Sequence, residues 1–228
     1  CVDELEPLAR YTGTPRFQRK SIFHALNQKA VARLVAHDLG KAYEECNLIV
    51  AHLGGGISVG AHRSGRVIDV NNALEEGPFS PERTGTLPTL PLVDFCLSGE
   101  KDRAGIRRMI NGNGGLFAYT GTTDCRLIEE QSANRPDYRV LLEAMTYQVA
   151  KEIGAMSAVL GCPADAVILT GGLAHSQYLT DLIARRVAHL GPVVVHAGED
   201  EMSALAGGVR RILAGQDFAR DYIREPIE

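Results

Sequence analysis

The chain has 228 residues, 45% of them hydrophobic and 23% charged, which excludes disorder and a disulfide mini-protein and leaves room for one large core or two smaller ones. A net charge of -4, from 24 Lys+Arg against 28 Asp+Glu, gives no electrostatic footprint for nucleic acid or an anionic membrane, so small molecules are the expected partners. Glycine is in excess at 24 residues, where average usage of about 7% would give roughly 16.

Taken in chain order, Ile22, Phe23, Leu26, Ala30, Val31, Leu34 and Val35 recur at helical spacing and predict a helix from Ser21, as N-cap, to a stop at Gly40. Asn47–Leu53, Ile57–Ala61 and Arg66–Val70 are apolar runs separated by Gly54-Gly55-Gly56 and Ser64-Gly65, the pattern of a three-stranded meander. Asn71–Pro91 has no period and reads as a long loop, and Leu92–Ile110 is helical in parts. Asn111–Gly115 is a turn cluster leading to the polar segment Thr120–Arg126. Leu141, Leu142, Met145, Val149, Ile153, Met156 and Leu160 form one stripe of a long helix over Tyr138–Leu160. The last third alternates: a strand at Ala166–Thr170, a helix at Ser176–Leu190, a strand at Pro192–His196 and a helix at Asp200–Ala214, which implies an α/β layered domain.

Five cysteines, Cys1, Cys46, Cys96, Cys125 and Cys162, are an odd number without CxxC spacing, which favours a reducing cytoplasm over a disulfide framework or structural zinc. No run of 18 apolar residues exists to span a membrane. The first residue is Cys1, within an apolar-acidic stretch that is neither leader nor tag, and the expectation is a piece of a longer protein.

Four segments carry chemistry. In His52-Leu53-Gly54-Gly55-Gly56-Ile57-Ser58-Val59-Gly60, three glycines between two strands let backbone N–H groups converge on an anion; the same string is also a tight hairpin in which glycine supplies a positive φ. A strand follows, so neither a Walker loop nor a dinucleotide fingerprint applies. In Gly77–Thr86, a loop stiffened by Gly and Pro, Arg83 has the fork that suits carboxylate or phosphoryl oxygens. Thr170-Gly171-Gly172 empties a strand into paired glycines, the place where ligands lie in open α/β sheets. Glu199-Asp200-Glu201 puts three acids at a helix start, where they complement the dipole or hold Mg²⁺ beside substrate phosphates. His24, placed in the first turn of its helix, is disfavoured as imidazolium and suited to donate a hydrogen bond to a phosphoryl group.

The order Phe23-His24, HLGGGISVGAH from His52 to His62, GPFSPERTGTLP from Gly77 to Pro88, LTGGLAH from Leu169 to His175 and GEDEM from Gly198 to Met202 resembles the butyrate kinases of the acetate and butyrate kinase family. The resemblance implies an α/β fold of ribonuclease H-like (actin-like ATPase) type, with a mixed sheet flanked by helices, and reversible phosphoryl transfer from ATP to a short-chain carboxylate. It implies that His52, Leu53, Gly54, Gly55 and Gly56 hold the β- and γ-phosphates, and that Gly171, Gly172, Leu173, Ala174 and His175 form the adenosine loop. It further puts Asp124 and Arg126 at the nucleotide, His24 and Arg83 at the transition state, and Asp200 or its neighbour Glu201 at Mg²⁺. On the same basis residues 1–200 are a C-terminal nucleotide-binding domain, residues 201–228 are a closing helix and tail, and a domain carrying the first phosphate loop and a catalytic aspartate precedes Cys1. The resemblance implies butyrate as the acid, with isobutyrate or acetate as alternatives, and a family that tends to form homo-oligomers; a nucleotide-binding module without activity of its own is the rival reading.

Overall fold

Strands that are buried on both faces read as continuous apolar runs, and Asn47–Leu53 and Ala166–Gly171 do so because helices cover them from both sides. The computed structural model describes residues 5–199 and 201–215. Five strands, β1 (Asn47–Leu53), β2 (Ile57–Arg63), β3 (Arg66–Val70), β4 (Ala166–Gly171) and β5 (Val193–Ala197), form one mixed sheet in the order β3-β2-β1-β4-β5. The β1–β2 and β2–β3 pairs are antiparallel, as the meander requires, while β4 and β5 join parallel to β1. This is the mixed sheet flanked by helices that was expected.

Eight α-helices complete the described residues: α1 (Ala25–Asp38), α2 (Thr89–Leu97), α3 (Arg103–Ile110), α4 (Gly115–Thr120), α5 (Cys125–Gln131), α6 (Pro136–Leu160), α7 (Gln177–Val187) and α8 (Glu201–Leu213). The odd-numbered residues Ile49, Ala51 and Leu53 of β1, with Val167 and Leu169 of β4, bury against the α6 stripe and Leu179, Ile183 and Val187 of α7. The even-numbered Leu48, Val50, Ala166 and Ile168 bury instead against Val31, Ala32, Val35 and Ala36 of α1, with Tyr43 and Cys46 closing that layer. Period-two alternation along the strands thus sorts the core into two layers.

Several elements depart from the sequence expectation. Helix α1 starts at Ala25 and not after Ser21, because the Ile22 carbonyl accepts from Ala73 N–H and the Ala25 N–H bonds Phe23, which commits this backbone to the loop that follows β3. His24 is therefore the N-cap, without a side-chain capping bond, and not a first-turn residue. Of the helically spaced apolar residues, Ile22, Leu26 and Leu34 are exposed, while the polar Asn27 and Gln28 are buried. The segment Leu92–Ile110 divides into α2, which starts at Thr89 inside the expected loop, and α3, whose N-cap Asp102 accepts from Gly105 N–H. Helices α4 and α5 are too short to show a period in sequence. Strand β5 runs one residue later than expected. Among the described residues no helix is long and apolar enough to cross a membrane. Cys46, Cys96, Cys125 and Cys162 are free thiols, and burial pushes the Cys125 thiol up to about 12.

Candidate functional site at the carboxyl edge of the sheet

Strands β1, β4 and β5 point the same way, so their carboxyl ends gather the sequence-predicted segments along one edge of the sheet. His52 ends β1 on the α1 face, and Ser58 of β2 lies directly across the hairpin from it. His24, at the amino end of α1, stacks on His52 with ring centroids 3.7 Å apart and planes 11° from parallel. Its Nδ1 lies 3.0 Å from Ser58 Oγ. One layer of the core therefore ends in two face-to-face imidazoles above a glycine turn.

The three glycines of that turn are small for reasons of space, not of conformation: none of Gly54, Gly55 or Gly56 has a positive φ. A Cβ on Gly54 would stand 3.1 Å from His52 Nε2, and one on Gly55 3.2 Å from Glu82 Oε1. A Cβ on Gly56 would stand only 2.0 Å from Arg83 Nη1. The turn is stripped of side chains so that the acid and the guanidinium of the Gly77–Thr86 loop can lie on its backbone. Ser80 Oγ donates to the Gly55 carbonyl and accepts from Arg83 N–H, which clamps that loop to the hairpin. Arg83 Nη1 donates to the Ala73 carbonyl at 3.0 Å, and Nη2 lies 3.7 Å from Glu82 Oε1. Arg83 Nε is buried and, among the described residues, has no hydrogen-bond partner. A guanidinium held this way keeps donors in reserve for oxygens of a ligand.

Burial, reinforced by the Arg83 charge, lowers His24 to about 4. Burial, reinforced by His24, lowers His52 to about 3. Both rings are neutral at pH 7. Glu199 Oε2 stands 3.3 Å from His52 Nε2, but its carboxylate is half open to water and does not reverse the effect of burial on the ring. His52 Nδ1 lies 2.8 Å from Asn27 Oδ1, so both ring nitrogens face oxygens although the neutral ring has one proton. A half-turn of the Asn27 amide resolves this, its NH₂ then donating to Nδ1 while Nε2–H donates to Glu199.

Because both histidines titrate lower in the folded chain than the usual 6.5, the folded state binds fewer protons, and stability is full above pH 6.5 and lost as pH falls toward 4. For the fully buried His52 the loss is about 2 kcal/mol at pH 5. Urea midpoints at pH 7.5 and 5.0 should differ more for the wild-type chain than for His52→Gln; equal differences would refute the assignment.

The second cluster lies beside β4. A cavity of about 870 Å³ opens between the start of α5 and a 3₁₀ turn at Gly172–His175, a size that accepts a nucleoside. Asp124 caps α5, accepting from Arg126 N–H, and hydrogen bonding from Arg126 holds its carboxyl below the usual range. Both residues line the cavity, as do Gly172, Leu173 and His175. Ala174 is buried behind the turn, and Gly171 exchanges both backbone hydrogen bonds with Gly198. Gly171, at φ +89°, is where the two clusters meet: a Cβ there would stand 2.5 Å from the Leu53 carbonyl oxygen. Leu53 thus contributes backbone, its side chain being part of the core.

Asp200 lies outside the described residues, and of Glu201 only its place at the start of α8 is described. No cluster of three or more His, Cys, Asp or Glu that could hold a metal occurs among the described residues. The carboxylates brought to the glycine turn are Glu82 and Glu199. Neither was singled out in the sequence for this place, although Glu199 belongs to the acidic run. Ser58, Ser80, Asn27 and Gln28 were missed as well. Ser58 was within reach of the hairpin register, whereas Asn27 and Gln28 gave no signal on a helix that also carries Lys29, Arg33, His37 and Asp38.

The model of the Acetokinase family matches residues 12–207. Among solved structures, the chain is similar to Porphyromonas gingivalis acetate kinase, with a TM-score of 0.83 and 22% identity over 92% of this chain and 61% of that one. A propionate kinase from Francisella tularensis subsp. tularensis SCHU S4 gives 0.78 and 21% over 89% and 60%, and acetate kinase from Entamoeba histolytica gives 0.78 and 16% over 90% and 63%. The chain spans about three fifths of the length of each of these proteins. The fold is theirs: the ribonuclease H-like, actin-like ATPase arrangement of a mixed sheet flanked by helices. With the family model covering residues 12–207, the chain belongs to the acetokinase family.

Proposed function

We propose that this chain holds the nucleotide of an ATP-dependent carboxylate kinase, with butyrate as the acid and butyryl phosphate as the product. The observation that carries this reading is the Arg83 guanidinium lying on the backbone of Gly56, its buried Nε without a partner among the described residues, beside two neutral histidines. A cation with donors in reserve over a side-chain-free turn suits a transferring phosphoryl group.

In this reading the adenosine occupies the cavity between Asp124 and Gly172–His175, and the phosphates run past Gly171 onto the His52–Gly56 turn. A carboxylate is already ionised at pH 7 and needs no base. One of its oxygens attacks the γ-phosphorus in line, the new acyl O–P bond forms, and the bond to the β,γ-bridging oxygen breaks, with its electron pair leaving on ADP. Arg83 neutralises charge on the transferring group, and His24 donates a hydrogen bond to an equatorial oxygen. Mg²⁺ takes one or two carboxylates beside substrate phosphates; Glu199, the described acid beside His52, with the sequence-assigned Asp200 and Glu201, would hold it, and bound there it would offset charge on the phosphates. The same reading makes residues 1–200 the nucleotide-binding domain, with α8 opening the closing helix and tail of residues 201–228; α8 packs against α1. It also places the protein in the cytoplasm, which the free thiols support.

Calorimetric titration with Mg-ADP and Mg-ATP is expected to give saturable heat that Asp124→Ala weakens. Absence of heat at millimolar nucleotide would remove the nucleotide site. Acyl hydroxamate formation by the protein in its natural length, with acetate, propionate, butyrate and isobutyrate compared, tests the acid; a preference for acetate would correct the butyrate assignment.

A further inference from the structure

A glutamine on the buried face of α1 needs a reason, since an apolar side chain there would complete the layer formed by Val31, Ala32, Val35 and Ala36. Gln28 is fully buried, and β2 makes room for it: a Cβ on Gly60 would stand 2.6 Å from Gln28 Oε1. Gly60 sits mid-strand, where glycine is unfavourable and has no side chain to pack. Two unfavourable choices, a buried amide and a strand glycine, are made together.

The amide has one possible orientation. Gln28 Nε2 lies 3.1 Å from the Ser58 carbonyl oxygen, which can only accept, and 2.9 Å from Ser58 Oγ. Its NH₂ therefore faces Ser58, and Oε1 faces His62 Nε2 at 3.1 Å. His62 must then carry its proton on Nε2, and Tyr43 OH donates to His62 Nδ1 at 2.8 Å. Ser58 Oγ accepts from Gln28, and among the described residues the acceptor available to its own proton is His24 Nδ1 at 3.0 Å. Every direction in the chain follows from one carbonyl.

We infer that Tyr43, His62, Gln28 and Ser58 form a buried relay whose end hydroxyl donates to His24 Nδ1, fixing His24 as the Nε2–H tautomer, with its donor on the ring nitrogen that Ser58 does not occupy. These are positioning residues. The relay's value for phosphoryl transfer rests on the function proposed above; its existence does not. A His24 free to exchange tautomers would offer an acceptor to the phosphoryl oxygen part of the time, and a lone pair there repels the anion.

The test is histidine ¹⁵N NMR on the full chain, with His24→Gln identifying the resonances. The expected wild-type result is His24 as one tautomer, protonated at Nε2. In Ser58→Ala, and in Gln28→Met, which keeps side-chain length and apolar packing, His24 should become a mixture of the two tautomers. A wild-type His24 protonated at Nδ1, or mixed, overturns the relay, as does a tautomer unchanged in both variants. If Ser58→Ala does not fold, Gln28→Met and the wild-type spectrum decide. In protein of natural length, Gln28→Met should lower kcat about 10- to 100-fold, as loss of a histidine's orienting partner does, with the ATP KM unchanged. The Nε2–H tautomer in a chain that binds no nucleotide would leave the relay standing and remove the phosphotransfer role. A mixed tautomer in a chain that binds Mg-ATP would do the reverse.

Discussion

For the phosphoryl transfer proposed above, Arg83→Ala is expected to lower kcat about 10²- to 10³-fold, the loss seen when one donor to a developing charge is removed from a preorganised site. ATP affinity should change less, because the function proposed above seats the purine and ribose in the cavity beside Asp124 and not on Arg83. Stability should fall by only about 1 kcal/mol, since the side chain makes one good hydrogen bond, to the Ala73 carbonyl. The loop stays in place without it: Ser80, Glu82 and Thr84 are tied by backbone hydrogen bonds to Ile110, Gly112, Gly114 and Leu116. Arg83→Lys should recover little, because an ammonium cannot reproduce the planar fork that lies on Gly56. Steady-state kinetics with urea unfolding separate these effects. A surviving kcat with a raised carboxylate KM would make Arg83 a clamp for the acid, and a large loss of stability would make it structural.

Gly115→Ala should be the most destabilising of the glycine-to-alanine changes proposed. At φ +60° an alanine costs roughly 1–2 kcal/mol in conformation alone. Its Cβ would also stand 1.8 Å from the Ser80 carbonyl oxygen and 2.7 Å from that of Arg83, so one of the two chains must move, adding about 1–3 kcal/mol of overpacking. Gly161, which ends α6 at φ +65°, has no atom within 4 Å of such a Cβ and serves as the control for conformation without collision. Urea unfolding should show Gly115→Ala losing about 2–5 kcal/mol and Gly161→Ala only about 1–2. Equal losses would show that the Gly115 contact does not position the Arg83 loop. Because the displaced backbone is that of Ser80 and Arg83, Gly115→Ala should also weaken whatever Arg83 does.

How much of this was legible in the sequence depended on the range of the interaction. The α6 stripe and the β1–β2–β3 meander were legible because their periods come from local backbone geometry. The start of α1 was not, because it is set by a hydrogen bond from Ala73, some fifty residues further along the chain. Ile22, Leu26 and Leu34 share the apolar character of that stretch but are exposed, because the face of α1 that packs inward carries Asn27, Gln28, Val31, Ala32, Val35 and Ala36. Helices α4 and α5 offered too few residues for any period.

The candidate site divides in the same way. The glycine turn, the Arg83 loop and the paired glycines after β4 are contiguous strings, and contiguous strings can be read. The partners that give them meaning come from elsewhere in the chain: Glu82 on Gly55, Arg83 on Gly56, Glu199 beside His52, Gln28 behind Ser58. The sequence by itself determined the layered α/β class, most of the strand and long-helix boundaries and the family, because these rest on period and on uninterrupted motifs. Only the tertiary structure decided why the three glycines are needed. Sequence allowed a positive φ as the reason, whereas folding shows negative φ and a guanidinium where a Cβ would be. A dihedral angle belongs to one residue, but a collision belongs to two, and folding alone brings the second one in.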